Sequence, residues 1–292
     1  MGGDDERTSS PSTPDSPLPG ASHTPCRSDP FHNSRLRRFV VLAGIKAARC
    51  IQRDRSPIIR LTPTKCVKLG SYRDLAEART MQFIAQHTSV PVPKVHCAFT
   101  RKGQTYIVMQ YVKGQMAATT WKTLSEESRT KVLRQLKKMV DEMRALHPTN
   151  SHIANVDGGS LCDCRLPTSL ERFGPFEDTQ AFHAFLRQGL EQAPPDCPEV
   201  DDMIALHKRE WGAPVFTHGD LSSLNIILRD DDIVATLDWE TAGWFPPYWE
   251  YTTATQVNPR NSFWKDYVNH FLETWPEALT METTRQRWWG AF

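Results

Sequence analysis

The segment Phe216–Glu240, FTHGDLSSLNIILRDDDIVATLDWE, constrains the fold of this chain most, because it sets polar side chains around two aliphatic runs. The runs NIILR and IVATLDW each predict a short strand, and the acidic residues between them predict a hairpin turn. Asn225 begins the first strand and Asp238 ends the second, so the hairpin places both at one end. His218 and Asp220 precede this end by a few residues.

These residue types suit a magnesium site beside a general base. Mg²⁺ prefers oxygen ligands and takes one or two protein groups, a role that fits Asn225 and Asp238. A carboxylate outside the metal's ligands, here Asp220, can accept a proton from an attacking hydroxyl. Turn capping by the same residues is the structural alternative. A metal-dependent hydrolase using His218, Asp220 and Asp238 is another, although the chain contains no H-E-x-x-H motif.

The charge and hydropathy of the chain exclude some partners. Lys and Arg total 35 against 34 Asp and Glu, so the net charge of +1 predicts neither a nucleic-acid nor a membrane partner. The longest apolar run near the start, Phe39–Ile45, is far shorter than the roughly 20 residues of a membrane span.

The cysteines indicate a reducing compartment. Their number, seven, is odd and they are scattered along the chain, which favours free thiols and a cytoplasmic location. Cys162 and Cys164 are the one close pair, and His152 and Cys197 could supplement them as zinc ligands. No second pair at zinc-finger spacing supports that alternative.

Composition and periodicity divide the chain into three parts. Residues 1–35 are crowded with Ser, Thr, Pro, Gly and Asp, which predicts a disordered tail. Residues 36–111 alternate short strand patterns with one helix, for which Ser71 is a plausible N-cap. Residues 112–292 are rich in helical patterns, most clearly over Ser125–Leu146. We therefore predict an α+β fold of two lobes, a small antiparallel-sheet N-lobe and a larger, mainly helical C-lobe, with a ligand cleft between them.

The motif H-G-D-L, followed by Asn, an aliphatic strand and D-W-E, resembles the catalytic and metal-binding segment of the aminoglycoside phosphotransferase and choline kinase family, whose fold is protein-kinase-like. The stretches Asp238–Tyr251 and Gly174–Leu186 resemble the fungal-type branch of that family. The resemblance implies an enzyme that uses ATP and Mg²⁺ to phosphorylate a hydroxyl of a small molecule, such as an aminoglycoside-, choline- or specialised-metabolite-like acceptor. It implies Asp220 as catalytic base and Asn225 and Asp238 as Mg²⁺ ligands.

The resemblance also implies a lysine on a strand that holds the α- and β-phosphates of ATP. Lys68 in CVKLG occupies the matching position, between Val67 and Leu69. A carboxylate on the following helix should position its ammonium group. Glu77 is the first candidate, and Asp74 is the alternative because it lies one turn earlier on nearly the same face.

The connection VMQYVKG between the lobes resembles an adenine-binding hinge. The match implies that Met109 lines the back of the pocket, while the Gln110 carbonyl and the Val112 amide face the adenine edge. Backbone groups would carry this recognition, so the side chains alone are equally typical of a core strand.

The chain departs from the family pattern in two places. It has no G-x-G-x-x-G between its first strands, where only the turn TPT stands. Ser222 and Ser223 stand where a cation would balance the transferring phosphoryl group. A non-catalytic, nucleotide-binding scaffold with the same fold is therefore the alternative function. No A-P-E segment follows Asp238, which favours a small-molecule acceptor over a protein.

The C-terminal region is expected to build the acceptor pocket. Its aromatic faces could receive a cationic amine, with help from Glu240 or Glu250, whereas core packing is the alternative role for large aromatic rings. The tryptophans concerned are Trp244, Trp249, Trp264, Trp275, Trp288 and Trp289.

Limited proteolysis tests the predicted tail. A protease should remove the first 35 or so residues and leave a stable core, because the tail lacks apolar side chains to pack. Mass spectrometry of the resistant fragment gives the boundary, and thermal unfolding gives its stability. Loss of cooperative unfolding after trimming would show that the boundary is wrong.

Overall fold

Four strands form one antiparallel sheet in the computed structural model, which describes residues 28–51, 56–70, 74–163, 165–166, 172–256 and 259–290. They are β1 Ile58–Thr62, β2 Lys65–Gly70, β3 Val95–Arg101 and β4 Gln104–Gln110, in the order β1-β2-β4-β3. Lys102 and Gly103 join β3 to β4 with φ of 50° and 81°. Positive φ at both positions gives the turn a twist that matches the twist of the strands.

The two faces of this sheet pack against different helices. Val67 and Val108 point to the outer face, which is covered by helix α1, Arg35–Ile51. Ile107 points to the inner face, which packs on helix α2, Ala76–His87, and on the second lobe. Side chains alternate along a strand, so Lys68, in register with Ile107, also lies on the inner face.

Both helices of the first lobe refine the predictions from sequence. Helix α1 has 17 residues, where the sequence showed only the apolar run Phe39–Ile45. Helix α2 begins at Ala76, and the carboxylate of Asp74 accepts the Ala76 N–H at 2.5 Å. Ser71, the expected N-cap, lies outside the described residues and is not the residue before the helix.

The second lobe is mainly helical and contains two small sheets. Its helices are α3 Ala117–Thr120, α4 Glu126–Arg144, α5 Thr179–Leu186, α6 Pro198–His207, α7 Trp249–Thr255, α8 Lys265–Val268 and α9 Pro276–Trp289. Its strands are β5 Gln115–Met116, β6 Val215–Thr217, β7 Ile226–Arg229, β8 Asp232–Thr236 and β9 Gly243–Phe245. One sheet has the order β5-β7-β8, and the other pairs β6 with β9. The hairpin β7–β8 is the one expected from sequence.

The long helix α4 anchors this lobe. Ser125 caps it by accepting the Ser128 N–H at 3.1 Å, and Glu126 and Glu127 complement the positive end of its dipole. Its buried face, which includes Leu136, shares one hydrophobic core with residues of the first lobe such as Met109. The two lobes are therefore joined by apolar packing as well as by the linker.

The structure describes the chain from Ser28, and the last residues of the predicted tail, residues 28–35, form contacts with the folded part. Residues 1–27 lie outside the described residues, whereas Phe31 bridges Ala98 of β3 and the Ser28 hydroxyl donates to Asp157 at 2.6 Å. We therefore expect protease-resistant chain to begin near Ser28. Among the described helices, none is long and apolar enough to cross a membrane.

Two histidines, His183 and His207, are buried against each other in the second lobe. His183 contacts the His207 carbonyl at 2.7 Å and the Tyr248 hydroxyl at 2.6 Å, and the two imidazole rings stack at 4.6 Å. Burial lowers the pKa of His183 to about 4 and that of His207 to about 2. Both rings are therefore neutral in the folded protein at neutral pH.

This pair should make the protein sensitive to acid. Below about pH 6.5 the unfolded chain binds a proton at each histidine and the folded chain does not. The free energy of unfolding is therefore highest above pH 6.5 and decreases as the pH falls towards 4. The substitution His207→Leu should reduce the slope of unfolding free energy against pH by about 1.4 kcal/mol per unit over that range. Urea unfolding at several pH values measures the slope. The exposed-site control His147→Leu should keep the parent slope, and a parent slope in His207→Leu would contradict the prediction.

Candidate active site

Lys68 lies among three carboxylates at the cleft between the lobes. Its Nζ is 2.8 Å from Glu77 Oε1, 2.6 Å from Asp238 Oδ1 and 3.4 Å from Glu240 Oε2. The lysine comes from β2, Glu77 from α2, and the other two acids from the turn after β8. These ion pairs therefore tie the first lobe directly to the second.

Glu77 and Asp74 are the two acids that the sequence offers as partners of Lys68, and the structure pairs Glu77 with it. Asp74 instead bonds to the first turn of α2 and forms an ion pair with Arg172 at 3.3 Å. That pair is a second bridge between the lobes, because Arg172 belongs to the segment after α4. The Arg172 guanidinium is also held by the Ser160 hydroxyl at 2.8 Å.

The charges around Lys68 do not balance. Burial alone would lower the pKa of Lys68, but Glu77, Asp238 and Glu240 outweigh burial and raise it above its ordinary value. Burial raises the pKa of Glu77 to about 7 against the opposing effect of Lys68. Oxygen atoms of the three acids lie within 4.8 Å of one another. Asp238 is the predicted metal ligand that belongs to this cluster, and the excess of carboxylate oxygens beside it suits a hard divalent cation such as Mg²⁺.

The turn before Asp220 is held by a buried glutamate. Glu250 accepts the His218 N–H at 2.6 Å and the Gly219 N–H at 3.1 Å, and the Thr241 hydroxyl donates to the His218 carbonyl at 2.9 Å. Gly219 has φ of 79°, and a Cβ there would lie 2.8 Å from the Thr241 carbonyl oxygen. Only glycine fits this position without displacing the backbone.

His218 supports the same turn as a neutral ring. Its Nε2 donates to the Leu237 carbonyl at 3.0 Å, and its Nδ1 accepts the Asp220 N–H at 3.2 Å. Burial lowers the pKa of His218 to about 4, which agrees with a neutral imidazole. Both ring nitrogens are bonded to backbone, so the geometry does not support His218 as the metal ligand of a hydrolase.

Asp220 and Asn225 lie in direct contact. The Asn225 amide donates to Asp220 Oδ2 at 2.8 Å and to the Asp220 carbonyl at 2.9 Å, which leaves the amide oxygen as its remaining side-chain polar atom. The Asn225 carbonyl accepts the Leu237 N–H at 2.8 Å, so Asp238 follows a residue that is bonded to Asn225. Burial raises the pKa of Asp220 to about 6, although Arg165 and Asn225 lower it. A carboxylate with such a pKa can exchange a proton near neutral pH.

Asp238 has an unusual backbone conformation. Its φ of 62° and ψ of 62° place it in the left-handed region, which costs a residue with a Cβ about 1–2 kcal/mol. The residues on both sides of Asp238 are fixed, which keeps it in this conformation. The Leu237 N–H donates to the Asn225 carbonyl, and Trp239 is buried in the core. The carboxylate thereby reaches Lys68.

Arg165 is a residue near the site that the sequence analysis missed. Its Nε and Nη2 bond to both oxygens of Asp163, at 2.8 and 2.6 Å, and Nη2 also donates to the Gly219 carbonyl. The Asp163 side chain is only 2% exposed, so it fixes the guanidinium firmly. Ser223, where the sequence suggested a missing cation, is buried and bonds to Asn261. The cation at this turn therefore comes from an earlier loop, and no motif marks it.

The linker residues lie at the end of β4. Met109 is buried on the inner face of the sheet, and Gln110 is paired with Lys65 while its N–H donates to the Lys94 carbonyl at 2.9 Å. Val112 follows in the linker and is half-buried. The geometry places these residues beside the cleft, and their contact with a nucleotide stays a prediction.

The aromatic acceptor pocket expected from sequence is not supported at three of its six tryptophans. Trp244, Trp249 and Trp264 are buried in the core, and Trp264 packs edge-on against Trp121 at 5.1 Å. Glu250 is buried beneath the turn formed by His218, Gly219 and Asp220, so it does not face an acceptor. Glu240 is the expected acid that remains partly exposed at the cleft.

The two-lobed α+β fold, the lysine on its sheet, the H-G-D turn and the Asn–Asp hairpin agree with a protein of the phosphotransferase class. Comparison with protein families gives the same answer: the model of the phosphotransferase enzyme family, abbreviated APH, matches residues 60–287. The chain belongs to this phosphotransferase family. A comparison with curated protein sequences found no match.

Solved structures of aminoglycoside phosphotransferases share this fold. The apo form of a thermostable mutant of APH(4)-Ia is 14% identical and gives a TM-score of 0.56, covering 80% of this chain and 81% of that one. A complex of another such mutant with AMP-PNP and hygromycin B has the same identity, coverage and TM-score. The gentamicin complex of APH(2")-IIa is 13% identical with a TM-score of 0.52 and covers 88% of each chain. At these identities the likeness establishes the fold, and the predicted two-lobed fold class is confirmed.

Proposed function

We propose that this protein is an ATP- and Mg²⁺-dependent kinase that transfers the γ-phosphoryl group to a hydroxyl of a small molecule. The observation that carries the proposal is one cleft in which Lys68 bonds to Asp238 while Asp220 bonds to Asn225. A phosphate-binding cation, a metal-binding acid and a carboxylate base are the parts that phosphoryl transfer needs. Solved relatives bind AMP-PNP or aminoglycosides at this fold, which supports a nucleotide and a small acceptor.

Each lobe has a separate role in this proposal. Residues 36–111 hold the nucleotide, with Lys68 on the α- and β-phosphates and Glu77 keeping its ammonium in place. Met109, Gln110 and Val112 receive the adenine. Residues 112–292 carry the catalytic turn and the acceptor.

The second lobe supplies the metal ligands and the base. Asn225 and Asp238 would hold Mg²⁺, which would neutralise the charge of the phosphates when bound. Asp220 orients the acceptor hydroxyl and takes its proton. The acceptor oxygen then bonds to the γ-phosphorus as the bond from that phosphorus to the β–γ bridging oxygen breaks, and ADP leaves.

Arg165 completes the charge balance in this scheme. Its guanidinium is fixed by Asp163 and bonded to the carbonyl of Gly219, the residue before Asp220. A fixed cation beside the base keeps the turn in place and offsets the negative charge that collects there during transfer. Arg165 would thus supply the positive charge that Ser222 and Ser223 cannot supply.

The acceptor is expected to carry positive charge. Glu240 is 40% exposed at the cleft, and it is an acid to which the scheme gives neither the metal nor the acceptor hydroxyl, so it is available to attract a cationic group. Such an acid favours amines such as aminoglycoside- or choline-like hydroxyl compounds. Membership of the fungal-type branch and a cytoplasmic location stay predictions from sequence.

A specific observation favours the scaffold alternative. Strands β1 and β2 are joined by the tight turn at Pro63 and Thr64, with no glycine-rich loop to cover phosphates. A protein with this turn could bind a nucleotide without transferring its phosphoryl group. Activity and binding must therefore be measured separately.

Substitutions at the two acids separate chemistry from binding. Asp220→Ala should leave Mg²⁺·ATP affinity within a few fold while lowering turnover by roughly 10² to 10⁴, the usual worth of a positioned general base. Asp238→Ala should weaken both, because the metal and Lys68 lose the same carboxylate. Calorimetry gives the affinity, and ADP release with amine-bearing hydroxyl acceptors gives the turnover.

A matched control and two outcomes complete this experiment. Asp231→Ala removes an acid that pairs with Lys131 away from the cleft, so it should behave as the parent. If Asp220→Ala turns over at the parent rate, the base is misassigned. If the parent binds Mg²⁺·ATP but transfers nothing to any acceptor, the scaffold function replaces the kinase.

Arg165→Gln tests the cation at the catalytic turn. Turnover should fall by about 10² with Mg²⁺·ATP affinity nearly unchanged, because loss of one fixed charge donor at a transition state costs on that order. Arg165→Lys should recover part of the loss, since it restores charge without the bidentate contact to Asp163. Arg209→Gln, at an ion pair with Glu277, is the control. Equal kcat in Arg165→Gln and the parent would remove Arg165 from the mechanism.

A further inference from the structure

Helix α1 exposes a row of apolar side chains on its outward side. Leu36 is 72% exposed, Phe39 70%, Val40 59% and Ile51 83%, values unusual for large apolar residues. Small exposed residues fill the spaces between them. We call the following residues the outer stripe: Leu36, Phe39, Val40, Ala43, Ala47 and Ile51.

The spacing of the outer stripe makes it continuous. From Leu36, its members recur at i+4, i+7, i+11 and i+15, which keeps them on one side of the helix over its full length. The opposite side, with Val41, Ile45 and Ala48, is buried against the sheet. Helix α1 is therefore apolar on two faces, and only one of them is covered by described residues.

Arg35, Arg37 and Lys46 border the outer stripe, whereas the Arg38 guanidinium lies over the Phe99 ring of the sheet, 5.5 Å from its centroid. Helix α1 contains five basic residues and no acidic one: Arg35, Arg37, Arg38, Lys46 and Arg49. Within the described part of the chain, none of the five forms an ion pair with a carboxylate. The net charge of +1 for the whole chain thus conceals a locally cationic helix.

Three partners for the outer stripe are disfavoured by its chemistry: residues 1–27 of the chain, a second copy of α1 and a peptide. Residues 1–27 contain Leu18 but no Ile, Val or Phe, so they lack the side chains to cover it. A second copy of α1 would bring like charges together along both edges. A peptide partner normally enters a groove, whereas this stripe lies on a single convex helix.

We propose that helix α1 docks this protein on a membrane surface rich in anionic lipid. A helix that lies in the lipid interface needs one apolar face bordered by Lys and Arg, and the outer stripe with its flanking cations meets both needs. The apolar side chains enter the boundary of the acyl chains, and the cations contact the headgroups.

Docking in this way leaves the active site accessible. Helix α1 covers the outer face of the sheet, whereas Lys68 lies on the inner face towards the second lobe. The cleft therefore opens away from the docked surface. The inference is independent of the proposed reaction.

Sedimentation with vesicles tests the proposal on the full chain. The protein should bind vesicles of phosphatidylcholine with about one third phosphatidylserine, and should bind vesicles of phosphatidylcholine alone at least tenfold more weakly. Leu36→Ser with Phe39→Ser should reduce binding to the anionic vesicles at least tenfold. Arg35→Glu with Lys46→Glu should do the same by reversing charge. Trp288→Ser, at an exposed aromatic residue of α9, is the matched control and should bind as the parent.

Two further measurements make each outcome decisive. Circular dichroism should show parent thermal unfolding for all variants, because the substituted side chains are exposed. Equal binding of the Leu36→Ser/Phe39→Ser variant and the parent, or no binding by the parent, would overturn the proposal. A stable dimer in analytical ultracentrifugation that this variant abolishes would also overturn it and assign the stripe to a second copy.

Discussion

The contact between Lys68 and its three acids is the interaction on which the rest of the structure depends. It joins β2, α2 and the end of the β7–β8 hairpin at one point, although these elements are far apart in the chain. Without the ammonium, the carboxylates of Glu77, Asp238 and Glu240 would repel one another in a partly buried setting, where charge effects are stronger than in water. The ion pairs thereby set the spacing of the lobes and the acidity of the cleft together.

The turn of His218, Gly219 and Asp220 is stabilised in a different way, by buried polar groups that each have a hydrogen-bond partner. Glu250, 1% exposed, accepts two backbone N–H groups, and His218 and Thr241 bond to carbonyls and N–H groups of the same stretch. Such a network is costly to disturb because each orphaned partner would be left in a low-dielectric interior. Asp220 is therefore carried on a rigid support, which suits the role of base proposed for it.

Local pattern predicted the parts of the site that are close in sequence. The aliphatic runs NIILR and IVATLDW predicted the hairpin, in which Asn225 bonds to Leu237 beside Asp238, whereas Glu77 was put forward by the family resemblance and not by a local pattern. Local pattern could not give Arg165 or the role of Glu250, because both act through contacts between segments that carry no shared period. Helix α1 was missed for another reason. It is apolar on two faces, so it lacks the single-face periodicity by which a surface helix is recognised.

The segment after α4 affects how readily the cleft can open. Asp157 forms an ion pair with Arg79 at 3.5 Å, and Arg172 forms one with Asp74, so this segment of the second lobe is bonded to the first lobe at two points besides Lys68. Any hinge motion that widens the cleft must break these contacts and then remake them. If the proposed reaction takes place here, the frequency of that opening sets an upper limit on how fast a nucleotide enters and its product leaves.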